Sequence, residues 1–167
     1  MAKPTKHAPL ICIILSILAV IGIISSLLIS NPLPAIFLLI PTVGYEVYRT
    51  EGVSTKTSSI IILVVLLLEI VLIIFSIDID LAGFLGQETK YIAGYEVPLG
   101  ALTVIGPTVM AILSIILFIR TRGVYTKWLS VNIFVTCFII IYTMNPETVR
   151  ELFKFAIQEL LDRFAYI

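Results

Sequence analysis

Residues 58–77 read SSIIILVVLLLEIVLIIFSI, and Glu69 is their one charged residue. A hydrocarbon core of ~30 Å needs ~20 apolar residues at a helical rise of ~1.5 Å each. A helix also satisfies its own amides and carbonyls, which lipid cannot do for it. This stretch therefore reads as a membrane-spanning helix. Working outward, four more stretches qualify: 10–30, 32–48, 98–119 and 128–144. The second is the shortest and holds Pro41, so a re-entrant loop is its alternative.

Charge decides between the two. With five spans and a cytoplasmic N-terminus, the inner side holds Lys3, Lys6, Arg49, Lys56, Arg120, Arg122 and Lys127. Lys90, Arg150, Lys154 and Arg163 then lie outside. A re-entrant second run splits the cations nearly evenly, so the positive-inside bias favours five spans. Composition agrees: 59% of residues are hydrophobic, 13% are charged, and mean hydropathy is +1.12. Soluble domains carry roughly 25% charged residues. Formal net charge is zero, which offers no basic excess to nucleic acid.

Lys3 and Lys6 resemble the start of a signal peptide, but 10–30 exceeds the ~7–15 residues of such a core and lacks a small-x-small site. It reads as a retained span. Cys12 and Cys137 sit in apolar surroundings at different expected depths, as inert thiols rather than a disulfide. His7 is the only histidine, so no His-based metal or acid–base centre is expected.

The loop 78–97 carries Asp78, Asp80, Glu88 and Glu96 against Lys90. Asp78, Asp80 and Gly83 match the start of an EF-hand, but Ala82 and Thr89 stand where oxygen ligands are required. The loop reads as solvated and acidic. At the C-terminus Asn145, Pro146 and Glu147 form a helix start. Val149, Leu152, Phe153, Ala156, Leu160 and Phe164 then recur at helical spacing opposite Arg150, Lys154, Gln158 and Asp162. An amphipathic helix over 146–165 follows, placed on lipid or on a partner protein.

An internal repeat links 32–77 with 98–144. Pro32-Leu33-Pro34-Ala35 returns as Pro98-Leu99-Gly100-Ala101, and Pro41-Thr42-Val43 returns as Pro107-Thr108-Val109. The pattern R-T-x-G-V-x-T-K spans both Arg49–Lys56 and Arg120–Lys127, with Gly52 and Gly123 at its centre. Both turns are expected on the cytoplasmic side, which makes the copies parallel. A Pro step followed by an Arg-Thr-x-Gly turn resembles the PQ-loop transporters over about fifteen residues per copy. Thr42 and Thr108 stand where that family has Gln, and the helix count between copies differs, so no function is carried over.

Glu69 is the residue on which a mechanism can rest. A charge at the bilayer centre costs at least ~2.5–3.5 kcal/mol on insertion scales, so a neutral acid seeking an acceptor is expected. Counting from residue 58 places Glu69 about 16 Å deep, level with Thr108 beside Pro107. The carbonyl of Phe37, which Pro41 cannot pair, falls at the same level. Two roles compete: a proton or cation relay between the repeats, or a protonated acid joining helices for ~0.6 kcal/mol. Glu46 and Arg49 read as a local pair at the headgroups, and Tyr45, Tyr48, Tyr125 and Trp128 as an aromatic belt. Asn132, Thr136 and Thr143 are candidates for bonds between helices.

No nucleophile–base–orienter set, phosphate loop or haem-ligand pair is present, so neither catalysis nor a cofactor is expected. The chain reads as one all-α integral membrane domain over 1–167: a five-transmembrane-helix bundle with an internal hairpin duplication and a C-terminal amphipathic helix. The first functional expectation is a non-catalytic accessory subunit of a larger membrane complex in the cell membrane. The second is an oligomeric small-solute or ion carrier or channel using Glu69 and the two Pro-Thr steps.

Overall fold

The computed structural model describes residues 6–75, 90–92, 95–97, 102–146, 149–150, 154 and 157. Five helices dominate: α1 (Ala8–Ile29), α2 (Leu33–Arg49), α3 (Val53–Ile74), α4 (Leu102–Arg120) and α5 (Val124–Met144). Three of them, α1, α3 and α5, are long and apolar enough to cross a membrane. Their outer faces show why lipid is the fitting solvent. Ile13, Ile17, Val20, Ile24 and Leu28 on α1 are about half exposed or more, as are Val64, Leu68 and Val71 on α3. Water would penalise such surface at ~25 cal/mol per Å².

Proline and asparagine chemistry sets the first connection. Ser30 adopts a left-handed conformation (φ 53°) after α1, and Asn31 Oδ1 accepts from Leu33 N at 2.9 Å. Pro34 then occupies the first turn of α2, where a missing N–H costs nothing. Ser26 Oγ donates to Asn31 O at 2.8 Å and closes the hairpin. Gly22 lets α1 approach α2: a Cβ there would lie 3.3 Å from Ala35 Cα.

Helices α3 and α5 begin earlier than hydropathy suggests. Val53–Thr57 and Val124–Lys127 are helical despite their polar residues. The connections before them shrink to residues 50–52 and 121–123. Both turns are built alike. Thr50 N and Thr121 N donate to Glu46 O (2.8 Å) and Leu117 O (2.9 Å). Lys56 N and Lys127 N donate to Gly52 O (2.9 Å) and Gly123 O (3.1 Å). Ser59 Oγ and Ser130 Oγ donate to Thr55 O and Thr126 O.

Burial repeats in the same register. Leu39, Val43, Glu46, Thr50, Ser59, Ile62, Leu66 and Glu69 are buried. At the spacing that separates Thr50 from Thr121, so are Met110, Ser114, Leu117, Thr121, Ser130, Ile133, Cys137 and Ile140. The prolines do not share that register. Pro41 is exposed on α2, whereas Pro107 is buried in α4. Pro107 stands thirteen residues before Arg120, against eight between Pro41 and Arg49, which turns the Pro-Thr-Val step of α4 onto a different face.

In the bundle α2 packs on α3 and α5, and α4 packs on α3 and α5. These four form a square, with α1 laid against the α2/α5 edge. The core of the square is Ile36, Leu39, Val43, Ile62, Leu66, Met110, Leu117, Ile133, Cys137 and Ile140. A smaller cluster of Cys12, Leu15 and Leu129, with Tyr45 and Tyr125, seats α1.

Between α3 and α4 the expected loop contains a short antiparallel pair, β1 (Lys90–Ile92) with β2 (Tyr95–Val97), in the register Lys90↔Val97. The candidate ligand positions Asp78, Asp80 and Gly83 lie outside the described residues. Of the expected tail helix, Pro146, Val149, Arg150, Lys154 and Ile157 are described, and all are helical. Val149 is buried, and Arg150, Lys154 and Ile157 are exposed. The rest of 146–165 lies outside the described residues.

Candidate functional site: two buried carboxyls

Glu69 has no exposed surface, and among the described residues neither carboxyl oxygen has a hydrogen-bond partner. Its neighbour is Gly106 on α4. A Cβ built on Gly106 would overlap Glu69 Oε2 and lie 3.1 Å from Cδ. Gly106 thus provides the space that the carboxyl fills, at the interface between the two hairpins. Leu66 and Ile70 on α3 and Met110 and Cys137 on the facing helices belong to the adjoining apolar core.

The expected acceptors are elsewhere. Thr108 is exposed, and its hydroxyl donates to Val104 O of its own helix at 2.7 Å. Pro41 and Phe37 also face outward, so the carbonyl freed by Pro41 is not offered to Glu69. Rotation explains the miss: Thr108 stands only about 3 Å further along α4 than Gly106, but on the exposed face of that helix. Because α3 starts at Val53, Glu69 stands about 24 Å from the turn rather than 16 Å. It lies about 7 Å from the far end of α3, and Gly106 about 6 Å from the start of α4. Glu69 is therefore near the end of the bundle that carries the acidic loop.

Glu46 is a second buried acid, which the sequence reading placed at the headgroups beside Arg49. It has no exposed surface. Thr50 Oγ1 donates to Glu46 O at 2.7 Å and to Oε1 at 3.3 Å, and Ser59 Oγ donates to Thr50 Oγ1 at 3.2 Å. The chain Ser59–Thr50–Glu46 ties α3 to α2 across the turn. Among the described residues, Glu46 Oε2 and the nearby-in-sequence Thr42 Oγ1 are buried without partners. Helical spacing carried the missed signal: Ile36, Leu39, Val43 and Glu46 form one stripe, so a carboxyl at its end shares the core face. The second hairpin has Leu117 and Ile140 in the matching positions, so both acids belong to the first.

Arg49 turns to aromatic rings. It donates to Tyr45 Oη at 3.4 Å, and its guanidinium carbon lies 5.0 Å from the Tyr125 ring centre. Lys127 lies over Phe118 at 5.4 Å, while Lys56 is exposed. Arg120 Nη1 donates to Ser54 Oγ at 2.9 Å and joins the two turns. Gly52 has φ 107°, a conformation that L-residues rarely adopt, but Gly123 has φ −78°.

Polar bonds between helices fall on fewer residues than expected. Asn132 Nδ2 and Trp128 Nε1 both donate to Ser16 Oγ at 2.8 Å, linking α5 to α1. Thr136 and Thr143 instead bond backbone carbonyls of their own helix. Among the described residues no three His, Cys, Asp or Glu converge as metal ligands. Comparison with protein-family models, curated proteins and solved structures finds no match.

Proposed function

We propose that the chain is a five-span bundle of the cell membrane that moves a proton or a monovalent cation through Glu69. The N-terminus and both R-T-x-G turns face the cytoplasm, as the cation distribution favours. In this reading α2 and α4 also span: 17 residues in α2 and 19 in α4 cover roughly 25–28 Å. The two hairpins are parallel copies of one unit, supported by their matching turns and burial register.

The observation that carries this reading is the partnerless carboxyl at the hairpin interface. A residue that merely joins helices needs an acceptor, and Thr108 and Phe37 do not provide one. An unmet buried polar group costs about 1–3 kcal/mol, a cost more readily retained for function than for packing. One carboxyl without companion acids suits a proton or a monovalent ion rather than a multivalent metal. Asp78, Asp80, Glu88 and Glu96 in the loop on its side would raise the local cation concentration.

The test is reconstitution in liposomes with an internal pH dye and an imposed K⁺ or Na⁺ gradient. Flux above empty liposomes, lost at least tenfold in Glu69→Gln at unchanged folding, is the expected result. Equal flux in the variant refutes the relay.

One observation favours a second reading, that of an accessory subunit. Helix α1 covers the α2/α5 edge, but among the described residues no helix covers the corresponding α3/α4 edge. A span of another protein fits that edge. Absence of flux from the purified chain, with co-purifying membrane proteins cross-linked at α3 or α4, would support this second reading.

A further inference from the structure

The two turns border an open cavity of about 330 Å³ whose walls include Arg49, Arg120, Arg122, Thr55, Thr126 and Glu51. Three arginines and one glutamate are among the residues that line it, a net positive set in a chain of zero net charge. Two helices also begin there. Gly52 and Gly123 are the N-caps of α3 and α5, and among the described residues neither helix start has a side-chain cap. The first amides of both helices are therefore left for an outside acceptor, and both helix dipoles place their positive ends at the cavity.

The guanidinium groups are held in different ways. Arg49 is steadied by Tyr45 and Tyr125, and Arg120 by Ser54. Arg122 is exposed at the rim. Tyr48 and Trp128 are exposed at the same end of the bundle, where aromatic rings sit at headgroup depth in a spanning protein.

We propose that this cavity binds a phosphate-bearing anion, with the arginines as its charge partners and the starts of α3 and α5 as its amide donors. Arginine forks match phosphate oxygens in pairs, and helix N-termini accept the remaining charge. The phosphate comes either from a lipid headgroup at the bilayer surface or from solution. Basic pockets between spans are a known physical solution for anionic headgroups. Glu69 lies at the opposite end of the bundle and takes no part in this site.

The test uses the full chain in neutral detergent, with thermal unfolding followed at constant ionic strength. The probes are dioctanoyl phosphatidic acid, dioctanoyl phosphatidylcholine, inorganic phosphate and chloride. A saturable rise in Tm with phosphatidic acid, larger than with phosphatidylcholine or chloride, is expected. A comparable saturable response to inorganic phosphate supports the site and assigns it to dissolved phosphate. Arg122→Gln should weaken binding about tenfold, the usual scale for one charge-assisted bond. Lys56→Gln, which removes a cation at the same end outside the cavity, should leave affinity unchanged. If Arg120→Gln unfolds the chain by freeing Ser54, Arg122→Gln alone decides. No saturable response to either phosphate probe, wild-type affinity in Arg122→Gln, or an equal loss in Lys56→Gln overturns the proposal.

Discussion

Gly106→Ala is the substitution that most directly interrogates the Glu69 site. The added methyl overlaps Oε2 and lies 3.1 Å from Cδ, with Val65 Cγ1 at 3.6 Å on another side. Glu69 has no exposed surface, so its carboxyl can swing away only by displacing packed neighbours. Overpacking of this kind costs about 1–3 kcal/mol. Against it stands the gain from replacing glycine inside a helix, about 1 kcal/mol. The net expectation in the native background is destabilisation of about 0–2 kcal/mol.

In a Glu69→Ala background the methyl enters space that the carboxyl has vacated. The overpacking disappears and only the helical gain survives. Gly106→Ala should then be neutral or stabilising by up to about 1 kcal/mol, giving a coupling of roughly 2 kcal/mol between the two positions. The cycle cancels the cavity that Glu69→Ala leaves and the relief of its unmet oxygens, so neither needs to be known. Reversible unfolding of the four proteins in mixed micelles measures the coupling. Additive effects, within about 0.5 kcal/mol, would refute the packing of Glu69 on Gly106.

Other expectations are independent of that pair. Gly52→Ala should destabilise by about 1–3 kcal/mol because of its backbone conformation; Gly123→Ala should cost less, since a Cβ there meets the movable Thr126 Oγ1 at 2.9 Å, and equal unfolding midpoints for the two would contradict this. Ser16→Ala removes the shared acceptor of Trp128 and Asn132, with an expected loss of about 1 kcal/mol and a shift in emission of the single tryptophan; an unchanged spectrum and midpoint would count against the α1–α5 link. Val53→Cys and Val124→Cys place thiols at sites 89% and 72% exposed. An impermeant maleimide should modify both from the cytoplasmic side only, while buried Cys12 and Cys137 stay unmodified in the folded chain. Labelling of either site from outside would reverse the orientation.

Much of the bundle was legible in the sequence because lipid and water make such different demands on it. The long apolar runs marked α1, α3 and α5, and Ser30–Pro34 marked the first hairpin. The R-T-x-G-V-x-T-K pattern marked two turns that fold alike, since the hydroxyls and glycines in it make the local bonds themselves. Helix starts were less legible: Ser54–Ser58 look like loop residues, yet their hydroxyls bond within α3 or across the turns. That misplaced start put Glu69 at the wrong depth.

Tertiary structure decided which face of each helix looks inward. In a soluble bundle polar residues mark the outside, but a lipid-facing surface is as apolar as the core. Helix α3 exposes Val64, Leu67, Leu68 and Val71 and buries Ile62, Leu66 and Ile70, and hydropathy does not distinguish the two sets. Rotation about each helix axis, fixed by close approaches such as Gly22 to Ala35 and Gly106 to Glu69, turned Thr108 and Pro41 away. The same rotations drew Glu46 inside and gathered three arginines around one cavity. Sequence determined that the helices are apolar and where they turn; packing determined which polar atoms meet.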